Sequence, residues 1–150
     1  MNNLYEPGRS QEIKKRIGEL TPASQRQWGT MTASQALAHC SAAMEMATGD
    51  KLLPRMFIGR LLGGLVKSKA IHSGEPLKRN TPTARDLVIK DDRVLVKEQE
   101  RLCGLVDRFA TAGPQGCTKH PHTFFGPLTP EEWATLMYKH LDHHLRQFGA

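Results

Sequence analysis

Apolar residues recur at three- and four-residue spacing through most of the 150-residue chain, the period of a helix rather than a strand. Ile13, Ile17 and Leu20 predict a short helix from Arg9 to Leu20, with Ser10 as its cap and Thr21-Pro22 as its stop. Thr32-Ala-Ser-Gln35 is a capping box, and the helix it opens is predicted to reach about Ala47, before Thr48-Gly49-Asp50. Its inner row holds Met31, Gln35, His39, Ala42 and Met46, and its alanines let a neighbouring helix approach closely. Pro54 to Lys67 is apolar and helical in period, yet it contains Gly59, Gly63 and Gly64. Each glycine costs a helix about 1 kcal/mol relative to alanine, so a broken or movable element is expected. Asp91 or Asp92 is expected to open the next helix, with a stripe of Leu95, Gln99, Leu102, Cys103, Val106 and Ala110 and a stop at Gly113-Pro114.

The final helix has the clearest boundaries. Thr129 caps it, Pro130 suits the first position, Glu132 completes a second capping box, and Gly149 stops it. Between the helices, Ser68 to Thr83 and Gly116 to Leu128 read as loops, the latter carrying His120, His122 and Phe124-Phe125. No stretch alternates as a strand does; Leu87-Val88-Ile89 reads as a short extended piece. These elements predict an all-α fold in one domain, residues 1–150. They describe a four-helix bundle with a long crossover between its second and third core helices.

Composition changes this picture little. The charged and apolar fractions are ordinary for a globular domain, and nothing approaches the roughly 20 apolar residues of a membrane span. Met1 to Gly8 does not read as a signal peptide. Cys40, Cys103 and Cys117 are scattered and odd in number, which suggests no disulfide framework and makes cytoplasmic the expected compartment. Charge is more informative. Residues 51–90 hold nine basic and two acidic side chains, a local net of +7 within a chain of net +6. Such a segment attracts small anions, nucleic acids or anionic membrane surfaces. No nucleic-acid motif accompanies it, so nucleic acid is not an expected partner.

The candidate chemistry is in the histidines. At about 100° per residue, Trp133, Met137, His140, His144 and Gln147 fall within roughly 40° of one line. His143 lies at the margin of that stripe, and Asp142 on the opposite face. A single core histidine reads as a packing residue, whereas two imidazoles at i, i+4 on a buried stripe form a metal-ligand arrangement. His39, on the inner row of the second helix, is the candidate third ligand, because three unpartnered buried imidazoles are costly and a metal removes that cost. Three neutral nitrogens leave positions open for water or substrate, as catalytic sites do, and zinc, nickel and iron(II) all accept imidazole. No carboxylate falls clearly on the inner stripes as a general base. His122 and Trp133 are candidate pocket residues, and Gln35 and Gln147 candidate supports for the ligands. Cys40, next to His39, reads as a buried structural thiol.

The run His140-x2-His143-His144-x2-Gln147, with His39-Cys40 on an earlier helix, resembles the DinB-like superfamily. His122-Thr-Phe-Phe-Gly-Pro-Leu-Thr-Pro-Glu-Glu-Trp133 and Trp28-Gly-Thr-Met-Thr-Ala-Ser-Gln35 resemble its uncharacterised DUF1569-type branch. The resemblance implies a four-helix bundle of DinB-like type that binds a divalent metal through His39, His140 and His144, with His143 non-ligating. It further implies a metal-dependent transferase or hydrolase acting on a small thiol or anionic molecule. Many relatives have arginine directly after the His-His pair, where this chain has Leu145, so a role for that arginine does not carry over to Arg146. The alternative is a non-catalytic, metal-stabilised ligand-binding or dimerisation module, whose partner is a small ligand or a second copy in a homodimer.

Overall fold

The computed structural model describes residues 2–150; Met1, where the reading of the N-terminus as no signal peptide begins, lies outside them. The described residues are all-α, with α1 at Arg9–Glu19, α2 at Ala33–Thr48, α3 at Phe57–Lys67, α4 at Leu95–Ala112 and α5 at Pro130–Gln147. None of these helices is long and apolar enough to cross a membrane.

Two helix starts are set by local chemistry. At α2 the Gln35 amide N–H donates to Thr32 Oγ1 (3.2 Å), while the Thr32 N–H donates to Gln35 Oε1 (3.0 Å). At α5 the same reciprocal pair forms between Glu132 and Thr129 (3.2 and 2.8 Å). Each box satisfies two of the backbone donors that a helix start leaves unpaired. Gly49, at φ 87°, closes α2 in the left-handed region that glycine occupies without strain.

The helices assemble around α2. Its alanines Ala36, Ala43 and Ala47 are buried, which is what brings α4 close along its length, and α5 packs on it as well. α1 lies against both α4 and α5. The resulting core includes Ile13, Ile17, Leu37, Met44, Leu102, Val106, Phe109, Met137, Leu141 and Leu145. Fully burying an aliphatic or aromatic side chain of this kind contributes about 1.5–3 kcal/mol, so the interior of these four helices carries most of the hydrophobic stabilisation.

The structure moves several expected boundaries. Gly8, not Ser10, precedes α1, and it does so at φ 81° without a side-chain cap. α4 begins at Leu95 rather than Asp91 or Asp92, after an extended Val94 with no side-chain cap, and Asp91 instead pairs with Arg93 (2.8 Å). The stripe of α4 is rotated: Glu98 and Phe109 are buried with Leu102 and Val106, whereas Leu95, Cys103 and Ala110 are only half-buried. Arg93 and Arg101 hold the buried Glu98 carboxylate (3.3 and 3.4 Å). Gln99 has a different task, donating to the Ile17 and Leu20 carbonyls at the end of α1 (2.8 and 3.0 Å).

The largest correction concerns α3, which is continuous. Two of its three glycines serve close approach. A Cβ on Gly59 would lie 2.6 Å from the Phe124 carbonyl oxygen, and one on Gly63 would overlap the same atom. The 122–126 loop therefore sits directly on the α3 backbone. A five-residue π-helical turn, Ser68–His72, extends the element, and Lys139 of α5 holds its end by donating to the Ala70 and Ser73 carbonyls (2.7 and 2.9 Å). The rest of the crossover is irregular except for a 3-10 turn at Arg85–Leu87, which buries Leu87 beside α2.

Candidate metal centre

α2 and α5 bring His39, His140 and His144 together, with one ring nitrogen of each lying within 4.8 Å of the others. The three ring centroids are 4.7 to 4.9 Å apart. His39 is buried, and His140 and His144 retain only part of their surface. This trio can hold a metal ion.

The orientation of each ring shows which nitrogen is available. His39 Nδ1 donates to the Leu87 carbonyl (2.8 Å), so its Nε2 carries the lone pair. His144 Nδ1 pairs with Gln147 Oε1 (2.9 Å), which accepts the N–H and again leaves Nε2 bare. Gln147 is itself fixed, since its Nε2 donates to the Trp28 carbonyl (2.7 Å). A carbonyl or amide oxygen on the remote nitrogen is the usual device for setting the tautomer and aim of a ligating histidine. His140 Nε2 lies 3.0 Å from His39 Nε2, and its Nδ1 is buried with no partner among the described residues. Two imidazole nitrogens bound to one ion at about 2.1 Å are roughly 3.0 Å apart at a right angle and about 3.4 Å apart at the tetrahedral angle. The His39–His140 separation matches that spacing, and without an ion it is a hydrogen bond in which the His39 Nε2 lone pair accepts from His140 Nε2–H.

Electrostatics point the same way. Burial pushes all three imidazoles below their ordinary pKa, His144 to about 3 and His140 well down, and the rings' mutual repulsion adds to the effect on these two. The neutral form, which is the ligating form, prevails at neutral pH.

The remaining candidates are placed differently. His143 is not one of the three converging rings but stacks edge-on against Trp28 and His144 (5.5 and 5.0 Å). Gln35 belongs to the α2 cap and donates to the Asp91 carbonyl (3.2 Å), with no hydrogen bond to the rings among the described residues. His122 organises its own loop: Nδ1 accepts from the Phe124 and Phe125 amides (3.0 and 3.1 Å), and burial beside Arg55 lowers its pKa to about 4. Trp133 is buried 5.3 Å from the His122 ring, its Nε1 unpartnered among the described residues. His120 is occupied by the Leu53 carbonyl (3.0 Å). Cys40 is buried, which raises its pKa, as expected of a structural thiol.

Several acidic side chains that could have served as a base are engaged in ion pairs. Glu45 pairs with Arg101, Asp107 with Lys14, Glu132 with Lys67 and Asp142 with Arg16. Sequence reasoning missed three supports: the Leu87 carbonyl, the Trp28 carbonyl and Arg79. The Arg79 guanidinium lies 4.0 Å above the Trp28 ring, which in turn touches His143. Carbonyl oxygens leave no trace in residue identity, and nothing in the sequence separates Arg79 from the other cations of the 51–90 segment.

The family model described as Protein of unknown function (DUF1569) matches residues 9–150. No curated protein and no solved structure matches the chain.

Proposed function

The chain belongs to the DUF1569 family, and from the geometry of its three histidines we propose that it is a divalent-metal-binding protein with His39, His140 and His144 as ligands. In this reading the four mutually packed helices α1, α2, α4 and α5 are a four-helix bundle of DinB-like type working in the cytoplasm. The observation that carries the proposal is the convergence of three buried imidazoles, two of them aimed by oxygen partners on their remote nitrogens. The metal is zinc, nickel or iron(II), all of which imidazole accepts.

We further propose a metal-dependent transferase or hydrolase acting on a small thiol or anionic molecule. A cation held by these three neutral nitrogens would lower the pKa of bound water to about 7 and hold a bound thiol as the thiolate. The protein contributes fixed ring orientations through Leu87 and Gln147 and a neutral ligand set at pH 7. The cation nearest the cluster through stacked rings is Arg79, by way of Trp28 and His143. We propose it as the anchor for a substrate anion; Arg55 and Lys67, by contrast, already bond Gly59 O and Glu132. The second reading, a metal-stabilised ligand-binding or homodimerising module, is favoured by the engagement of Glu45, Glu98, Asp107, Glu132 and Asp142 in ion pairs.

Metal analysis and anomalous scattering on protein purified without a histidine tag test the site. His140→Ala and His144→Ala are expected to lose the ion and His143→Ala to keep it; equal loss in all three removes the proposed ligand set. Calorimetric titration of metal-loaded protein with small thiols and carboxylates at two salt concentrations then separates enzyme from module. The enzyme reading requires anion binding that disappears in His144→Ala.

A further inference from the structure

α3 is fastened by its narrow side and leaves its broad apolar side uncovered. At about 100° per residue, Gly59 and Gly63 point together toward the Phe124 backbone, where any side chain would collide. Phe57, Ile58, Leu61, Leu62, Leu65 and Val66 fill the half-turn away from that seat, and all six are exposed, Phe57 to 77% and Leu65 to 78%. Arg60 and Lys67 lie together on the remaining flank, and exposed Lys69 follows in the π-helical turn. Arg60 and Lys69 form no ion pair among the described residues. A helix with an apolar half, a cationic flank and no charge within its apolar arc has the make-up of an element that lies in a membrane interface.

We propose that α3 docks the protein on an anionic lipid surface, with Phe57, Leu61 and Leu65 entering the acyl boundary and the 51–90 segment facing the headgroups. Charge decides the occupant. Residues 51–90 carry a net +7 while the rest of the chain is close to neutral, so a second copy on this face would set two like-charged segments against each other. An anionic leaflet meets both properties at once, since apolar burial and attraction of basic residues add at the interface. Among the described residues no helix is long and apolar enough to span a bilayer, so the proposed attachment is peripheral and reversible.

Cosedimentation of the full-length protein with sucrose-loaded vesicles tests this directly. Vesicles of phosphatidylcholine containing one-third phosphatidylserine are expected to bind the protein roughly tenfold or more better than phosphatidylcholine alone, with the advantage fading as salt rises. Leu61→Ser with Leu65→Ser is expected to reduce binding to both vesicle types by about tenfold or more, from the lost apolar burial. Arg60→Gln with Lys69→Gln is expected to remove preference for the anionic vesicles while sparing the weak binding to neutral ones. All four side chains are exposed, so circular dichroism of the variants is expected to match the parent. Failure to bind anionic vesicles, or equal binding to both compositions, overturns the proposal. So does a dimer in solution that Leu65→Asp dissociates, because a second copy would then be the occupant.

Discussion

At the scale of single residues, Gln147 is the most informative side chain outside the trio. It is buried and links the His144 ring to the Trp28 carbonyl, so it sets both the tautomer and the angle of His144. Removing such a support typically weakens a metal site by about 10- to 100-fold. Gln147→Ala is therefore expected to raise the metal Kd by about that factor in competition titrations, without abolishing binding as His144→Ala does. His122 leads to a prediction about pH. Burial and Arg55 hold its pKa at about 4 in the fold, against about 6.5 for an unfolded chain. Above pH 6.5 the ring is neutral in both states and its stabilising effect is complete; as pH falls, the unfolded chain takes up a proton that the fold refuses. His122 alone is expected to cost about 2 kcal/mol of stability between pH 7 and pH 5. The metal-free trio, with its pKa values also depressed, adds to this loss. Urea unfolding at the two pH values is expected to show a steep drop in the parent that is about 2 kcal/mol smaller in His122→Asn.

Among the elements, α3 shows how one residue type takes opposite roles within a single turn. Gly63 faces the Phe124 carbonyl, whereas a Cβ on Gly64 would meet nothing within 4 Å. Gly63→Ala is expected to destabilise by about 1–3 kcal/mol, the usual cost of overpacking. Gly64→Ala is expected to stabilise by about 0.5–1 kcal/mol, because a methyl group in open space only removes the glycine's entropy cost. Thermal melts of the two variants check the pair, and a like sign for both would mean the loop does not rest on α3 as described. The crossover depends on equally specific contacts. Its Arg85–Leu87 turn supplies the carbonyl that orients His39, and Lys139 holds the turn that follows α3.

On the scale of the whole molecule, the candidate ligands join the first third of the chain to its last helix across 101 positions. An ion at that junction ties α2 to α5 and binds only the folded protein. At a free metal concentration 100-fold above Kd, such binding adds about 2.7 kcal/mol of stability. In a domain of this size that corresponds to about 5–10 °C in Tm. Metal-loaded protein is therefore expected to melt that much above chelator-treated protein, and the difference should vanish in His140→Ala. An unchanged Tm would point away from His140 as a ligand.

Much of this architecture is legible in the order of residues, because helices are local. The two capping boxes, the i, i+4 histidines and the separation of His143 from the stripe follow from spacing along one helix, where about 100° per residue fixes each side chain's direction. His39 is reached by a longer inference, from its inner-row position and the cost of burying unpaired imidazoles. What spacing could not decide is everything that depends on a partner distant in the chain. The rotation of α4 follows from where α1 needs Gln99; the glycines of α3 gain their meaning from the Phe124 carbonyl; and Gln35 is spent at a helix end rather than beside His39. The tautomers of His39 and His144 depend on the Leu87 carbonyl and the Gln147 amide, and the latter is fixed only by the carbonyl of Trp28, 119 positions away. Sequence determines the helices and, in α2 and α5, the faces they turn inward, because torsions and caps act within a few residues. Tertiary structure alone decides which backbone atoms face those side chains, since every residue's carbonyl is chemically alike until the fold places it.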